Sequence, residues 1–171
     1  PMLPLLGKPI LEWNIEYFKK HGVKEFLINL HYLPDVIRDY FGDGSKWGVK
    51  VHYFVEREPL GSGGGIKQFW AELDDVFYFN WGDTFSLVDY AKTAEFFSSK
   101  PDAIGVERVG LTGYRPDVDL AELDADGRIV KIHTKPHSRE FPNPYSLRGS
   151  LIFRKRTLSY IPENASYEIG K

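Results

Sequence analysis

The spacing of apolar side chains changes several times along the chain. Leu11, Ile15 and Phe18 recur at i, i+4 and i+7 behind Pro9, and Lys19 and Lys20 precede Gly22, so this stretch predicts a helix. Residues 26–30 are a short apolar run that reads as a buried strand. A second helix is expected from Pro34 to Tyr40, closed by Gly42-Asp43-Gly44. Val49, Val51, Tyr53 and Val55 alternate with other residues, as in a strand with one buried face. Glu56 to Gly65 is glycine-rich and leads into a helix expected over 66–73. Residues 76–80 are continuously apolar apart from Asn80, the pattern of a central parallel strand, and stop at Trp81-Gly82-Asp83-Thr84. A helix over 89–98 and a strand over 103–109 follow. This alternation predicts an α/β fold with a mostly parallel sheet. After Gly110 the pattern becomes that of a hairpin, 120–123 and 128–133, turning at Asp124-Ala125-Asp126-Gly127. A Pro-rich polar loop over 137–146 and a strand over 147–153 complete one domain without internal repeats.

Composition narrows the function classes. The 171 residues carry 22 Lys+Arg against 24 Asp+Glu, a formal net charge of −2 that gives no electrostatic case for nucleic acid or an anionic membrane surface. An apolar share of 42%, with 15% aromatic residues, argues against disorder. The absence of cysteine excludes disulfides, thiolate zinc sites and a cysteine nucleophile, and fits a reducing compartment. No apolar run approaches the roughly 18 residues of a membrane span. The chain starts at Pro1 rather than Met and stops at Lys171 near an expected helix start, so it reads as a fragment of a longer protein.

Three features are candidates for chemistry. Glycines in residues 60–65 let backbone amides approach a phosphate or a ring edge, although a flexible strand-to-helix turn explains them equally well. Asp83 lies just past the carboxyl end of an apolar strand, where open α/β sheets bind ligands; it suits either a Mg²⁺ ion or a helix N-cap. Lys135, in Thr134-Lys135-Pro136, can pair with a phosphate or simply face solvent. Other groups carry less. The five histidines show no metal-ligand spacing, Ser62 lies in no nucleophile-elbow pattern, and Asp124–Gly127 lacks the later ligands of a calcium loop. The tryptophans read as core anchors, with Trp81 alone placed to touch a ligand.

Taken in order, these motifs resemble the sugar-nucleotide pyrophosphorylases, or sugar-1-phosphate nucleotidyltransferases. Residues 1–11 (Pro-Met-Leu-Pro-Leu-Leu-Gly-Lys-Pro-Ile-Leu) are similar to the stretch after that family's glycine-rich signature loop. Glu56 through Gly65 resembles its base-recognition segment, with Ser62 for Thr and Gly63 and Gly65 for Ala. Gly82-Asp83 resembles its Mg²⁺-binding Gly-Asp, and Thr134-Lys135-Pro136 its sugar-phosphate-binding Glu-Lys-Pro. The opening and the Pro-Leu-Gly-Ser form look most like the mannose-1-phosphate and heptose-1-phosphate guanylyltransferase branch.

The resemblance implies a Rossmann-like three-layer αβα fold with a mostly parallel mixed sheet, lacking its first strand and signature loop. Residues 1–171 would be a single partial domain. The implied reaction transfers a nucleotidyl group from a nucleoside triphosphate to a sugar 1-phosphate and releases pyrophosphate. Asp83 and Lys135 would be catalytic, with Asp83 holding Mg²⁺. Glu56, Leu60, Gly61, Ser62 and Gly82 would bind nucleotide, and Asp119, Glu122, Thr134, Lys135 and Gly149 the sugar. The protein would be cytoplasmic, without nucleic-acid or membrane partners, and compatible with a homo-oligomer. Thr134 in place of Glu, and Leu147-Arg148 before Gly149 in place of Asn-Ala, suggest an altered sugar pocket. With the signature loop and a downstream metal-binding Asp outside it, the chain alone is expected not to catalyse. A non-catalytic nucleotide-sugar-binding domain of the same fold is the alternative. A glycosyltransferase ranks lower, since Asp83-Thr84-Phe85 lacks a second Asp, and an interaction module leaves the glycines and Asp83 unexplained.

Overall fold

The computed structural model describes residues 1–111, 115–138, 141, 145–163 and 165–169. Strands β1 (Pro4–Leu5) and β2 (Lys8–Pro9) form a small antiparallel hairpin around Leu6-Gly7. Helix α1 (Ile10–Lys20) follows and buries Leu11, Asn14, Ile15 and Phe18, the stripe that the spacing predicts plus one polar residue. Strand β3 (Glu25–Leu30), helix α2 (Pro34–Phe41) and strand β4 (Lys50–Val55) come next, and β3 pairs with β4 in parallel.

Strand periodicity makes this region layered. Leu11, Ile15, Leu30, Ile37, Phe41, Val49 and Val51 form one buried cluster, with Phe26, Ile28 and Tyr53 packed against it. The alternate positions point to the other face, where Phe54 meets Phe69 edge-on and Asn29 abuts Gly65. Helices therefore cover both faces of the parallel pair, as the α/β expectation requires.

Helix α3 (Gly61–Lys67) departs from expectation: it opens within the glycine run, not at Ile66. The buried glycines are a packing requirement. A Cβ on Gly63 would lie 2.8 Å from the Tyr167 ring, one on Gly64 2.9 Å from the Ala165 carbonyl oxygen, and one on Gly65 2.4 Å from Asn29 Nδ2. Only a side-chain-free helix face approaches its neighbours this closely.

Strand β5 (Val76–Asn80) begins the second half, followed by α4 (Tyr90–Ser98), β6 (Gly105–Leu111), β7 (Leu120–Leu123), β8 (Ile129–His133) and β9 (Tyr145–Arg154). The expected parallel sheet is confined to β3–β4. Strand β9 inserts between β5 and β6, antiparallel to both, and also pairs with β7. β7 and β8 form the expected hairpin, its turn held by Asp124 Oδ1 accepting the Asp126 and Arg128 amides. Much of the loop expected over 137–146 lies outside the described residues; of it, 139, 140 and 142–144 are not described, and β9 already begins at Tyr145. Among the described residues β3 pairs only with β4, and β5 only with β9. Phe18 of α1 links the two sheets, its ring centroid 6.4 Å from Phe26 and 5.8 Å from Tyr78.

Candidate active site

The carboxyl end of β5 runs into a tied turn. Asn80 Nδ2 donates to the carbonyls of Trp81 (2.9 Å) and Thr84 (3.0 Å), and Asn14 of α1 donates to the same Thr84 carbonyl at 3.0 Å. The Thr84 amide closes the turn on Trp81 O. Asp83 sits exposed on this turn, its carboxylate 3.5 Å from the Thr84 hydroxyl. It does not cap α4; Asp89 does, accepting the Lys92 amide at 3.1 Å. The cap reading of Asp83 is thereby excluded. Among the described residues no group of three or more His, Cys, Asp or Glu side chains can hold a metal. A lone exposed carboxylate fits a Mg²⁺ ion whose remaining ligands are substrate phosphates and water.

Strand β9 bulges opposite this turn. Between the Leu151–Glu107 and Leu147–Val109 pairs, β9 places Arg148, Gly149 and Ser150 opposite the single Arg108. Gly149 adopts φ +73° and lies under the Trp81 ring, so a Cβ there would be 2.9 Å from two ring carbons. Its amide donates to Glu107 Oε1 at 3.1 Å. Asp119, ahead of β7, accepts the Lys135 amide at 2.9 Å and its own carbonyl accepts the Leu147 amide at 3.1 Å. Of the residues named from sequence, Gly82 and Asp83 follow Trp81, whose ring covers Gly149, while Asp119 and Lys135 join β9 separately, at Leu147.

Charge is unevenly distributed here. Burial pushes the Glu107 carboxyl up to about 7, the nearby Asp119 charge adds to the rise, and the Gly149 and Arg148 amides oppose it. Arg115 grips Asp117 through two bonds of 2.8 Å and holds its carboxyl down at about 2, with Lys135 contributing. Lys135 and Thr134 are both exposed.

The other expected residues sit differently. Glu56 is buried, and its carboxylate is engaged by Asn29 Nδ2 (2.8 Å) and the Leu60 amide (3.3 Å), so it builds the turn into α3. The amides of Gly63 and Gly64 donate to Tyr167 O, and the amide and hydroxyl of Ser62 donate to Glu168 Oε2 at 3.2 and 2.7 Å. Leu60 O accepts the Tyr167 amide. Gly61, at φ +72°, passes against the Tyr167 carbonyl. The chain's own residues 167–168 thus take up the amides expected to meet a base. Glu122 pairs with His133 at 2.5 Å across the hairpin. Asn14, Asn80 and Glu107 were not expected from the sequence. Asn80 was legible as the polar end of an apolar strand, whereas Glu107 carries no local signal.

The chain thus combines α/β layers with an exposed carboxylate just past the carboxyl end of β5. Residues 1–169 match the family described as Nucleotidyl transferase, and the chain belongs to that family. It is 28% identical, over 99% of its length, to the UTP–glucose-1-phosphate uridylyltransferase of Synechocystis sp., covering 47% of that protein. It is 42% identical, over 54% of its length, to the D-glycero-alpha-D-manno-heptose 1-phosphate guanylyltransferase of Campylobacter jejuni, covering 41% of that protein. The chain spans about half the length, or somewhat less, of these curated relatives. Among solved structures it resembles HddC from Yersinia pseudotuberculosis, with TM-score 0.81 and 26% identity, over 99% of this chain and 73% of that one. No helix among the described residues is long and apolar enough to cross a membrane.

Proposed function

We propose that the protein to which this chain belongs transfers a nucleotidyl group from a nucleoside triphosphate to a sugar 1-phosphate. The observation that carries this reading is the tied turn that presents Asp83 past the end of β5, with Trp81 of that turn packed on Gly149 of β9, the strand whose Leu147 amide is held by the Asp119 that also accepts the Lys135 amide. A sugar-phosphate oxygen attacks the α-phosphorus; its new P–O bond forms as the bond to the bridging oxygen breaks and pyrophosphate leaves. The attacking oxygen is already ionised, so no protein base is required. Lys135 pairs with the sugar phosphate, and the Asp119 bond to its backbone fixes where that ammonium starts, which lowers the entropic cost of attack. The two asparagines keep the Asp83 carboxylate on a rigid turn. Mg²⁺ held there would supply charge neutralisation between the two anionic reactants.

GTP and a mannose- or heptose-type 1-phosphate are the proposed substrates. Support comes from the heptose-phosphate relative, from the mannose-1-phosphate guanylyltransferase of Mycobacterium tuberculosis, 28% identical over the whole chain, and from the form of HddC complexed with GMP-PN. A cytoplasmic location is part of the same proposal. Pyrophosphate release, measured for each nucleotide with mannose 1-phosphate, tests it: GTP-dependent release is expected, and release with another nucleotide alone overturns the base assignment. A second reading, binding without turnover, is motivated by Thr134 standing before Lys135 and Leu147-Arg148 before Gly149, where the resemblance leads one to expect Glu and Asn-Ala. Calorimetric binding of GDP-mannose with no pyrophosphate release in the parent protein would establish it.

A further inference from the structure

Leu6 carries two costs that the fold does not return. It and Gly7 are the two central residues of the β1–β2 hairpin loop, at φ +49° and +86°. Two positive values in a row mark a turn that favours Asn-Gly, because a side chain such as leucine's is strained there. Leu6 is also 87% exposed, so no burial offsets the strain. A bulky residue held this way points to a contact outside the chain.

An apolar groove lies beside it. A cavity of about 200 Å³ is walled by Leu5, Trp13, Tyr17, Phe85 and Leu87, with Leu6 at its edge. The Trp13 indole N–H donates to Leu5 O at 2.7 Å, and the Tyr17 hydroxyl to Val88 O at 3.0 Å. Phe85 packs edge-on to Tyr17, ring centroids 5.9 Å apart. The rings are thus pinned and their polar ends satisfied, which leaves a preformed socket for an aliphatic side chain.

Charge indicates which partner supplies that side chain. Glu16 and Lys20, one turn apart on α1, line the same groove. Glu16 binds Lys8 through Oε2 and has no partner for Oε1 among the described residues; Lys20 is exposed and has no acceptor among them. Knob, socket, acid and base therefore occur together on one face, the pattern of a self-complementary two-fold contact. Turned about a two-fold axis, the face meets its copy with each Leu6 against the other's socket and each Lys20 against the other's Glu16. We infer that two copies of this chain associate through this face, with Leu6 as the anchor. The contact is independent of nucleotidyl transfer.

Sedimentation velocity on the parent protein, from about 1 to 100 µM, tests it, and a dimer is expected in that range. Leu6→Asn suits the turn, so Tm should hold or rise when measured at a dilution where both proteins are monomeric. Two anchors leave the interface, and the dimer dissociation constant should rise at least about hundredfold. Lys20→Glu, at an exposed helix end, should raise it about tenfold, with a smaller effect at high salt. A wild type that stays monomeric throughout, or a dimer that either variant leaves within about twofold of the wild type, overturns the inference. So does a lower monomer Tm for Leu6→Asn, which would show Leu6 packed within its own protein.

Discussion

Gly149 and Trp81 lie so close that no side chain fits between them: a Cβ on Gly149 would come within 2.9 Å of ring atoms Cε3 and Cζ3. Gly149 also needs φ +73°, which side-chain-bearing residues rarely adopt. Gly149→Ala therefore meets both a clash and backbone strain. It should destabilise the fold by about 2 kcal/mol in urea titrations. The indole should also shift, seen as altered tryptophan emission in the native baseline. An unchanged midpoint and emission would mean that the bulge does not set the Trp81 position.

Glu107 makes stability depend on pH in an unusual direction. Its carboxyl is raised from the ordinary 4.5 to about 7 in the fold. Between those values the folded chain holds a proton that the unfolded chain has released. Stability from this group is thus full below about pH 4.5 and declines as pH rises through 7, by about 3 kcal/mol in all. Urea midpoints at pH 5 and pH 8 measure it. Glu107→Gln should flatten that part of the profile, and an identical slope in the variant would refute the assignment.

Residues 167–168 grip α3 through the Ser62, Gly63 and Gly64 amides. Glu168→Ala removes the acceptor of both the Ser62 amide and hydroxyl, on an exposed surface where water replaces it. A loss of about 1 kcal/mol is expected. Hydrogen exchange at the Ser62 amide should quicken as well. Exchange unchanged there would show that this carboxylate does not hold the segment.

Most elements were legible because their signals are local. The i, i+4, i+7 stripe of Leu11, Ile15 and Phe18, the apolar run ahead of Asn80 and the Asp-Gly turn at 126–127 each act within a few residues. Strand direction was not local. β9 lies between β5 and β6 although a long stretch of chain separates them, so helix–strand alternation overstated the parallel sheet. The glycines of α3 were visible as a motif, but their reason, contact with Ala165, Tyr167 and Asn29, arises only in three dimensions. Glu107 is hidden for the same cause: on β6 it is an ordinary strand residue until the β9 bulge brings Gly149 to it. The Asp83 position, past the end of an apolar strand, could be read because sheet ends place ligands by rule.

Asp83 and Asp89 offer a paired test, since six residues apart they have opposite duties. Asp89 caps α4 by accepting the Lys92 amide, and that bond holds its carboxyl below the usual range. Asp89→Ala should lower Tm measurably and leave any pyrophosphate release of the parent protein intact. Asp83 is exposed and contacts only the Thr84 hydroxyl in its immediate turn, so Asp83→Asn should change stability by no more than about 0.5 kcal/mol. The same change removes the negative charge that would hold Mg²⁺, and Mg²⁺-dependent pyrophosphate release should be lost. Scanning calorimetry and the release assay on both variants separate the roles. Full release in Asp83→Asn, or a stability loss there equal to that of Asp89→Ala, would return Asp83 to a purely structural part in the turn.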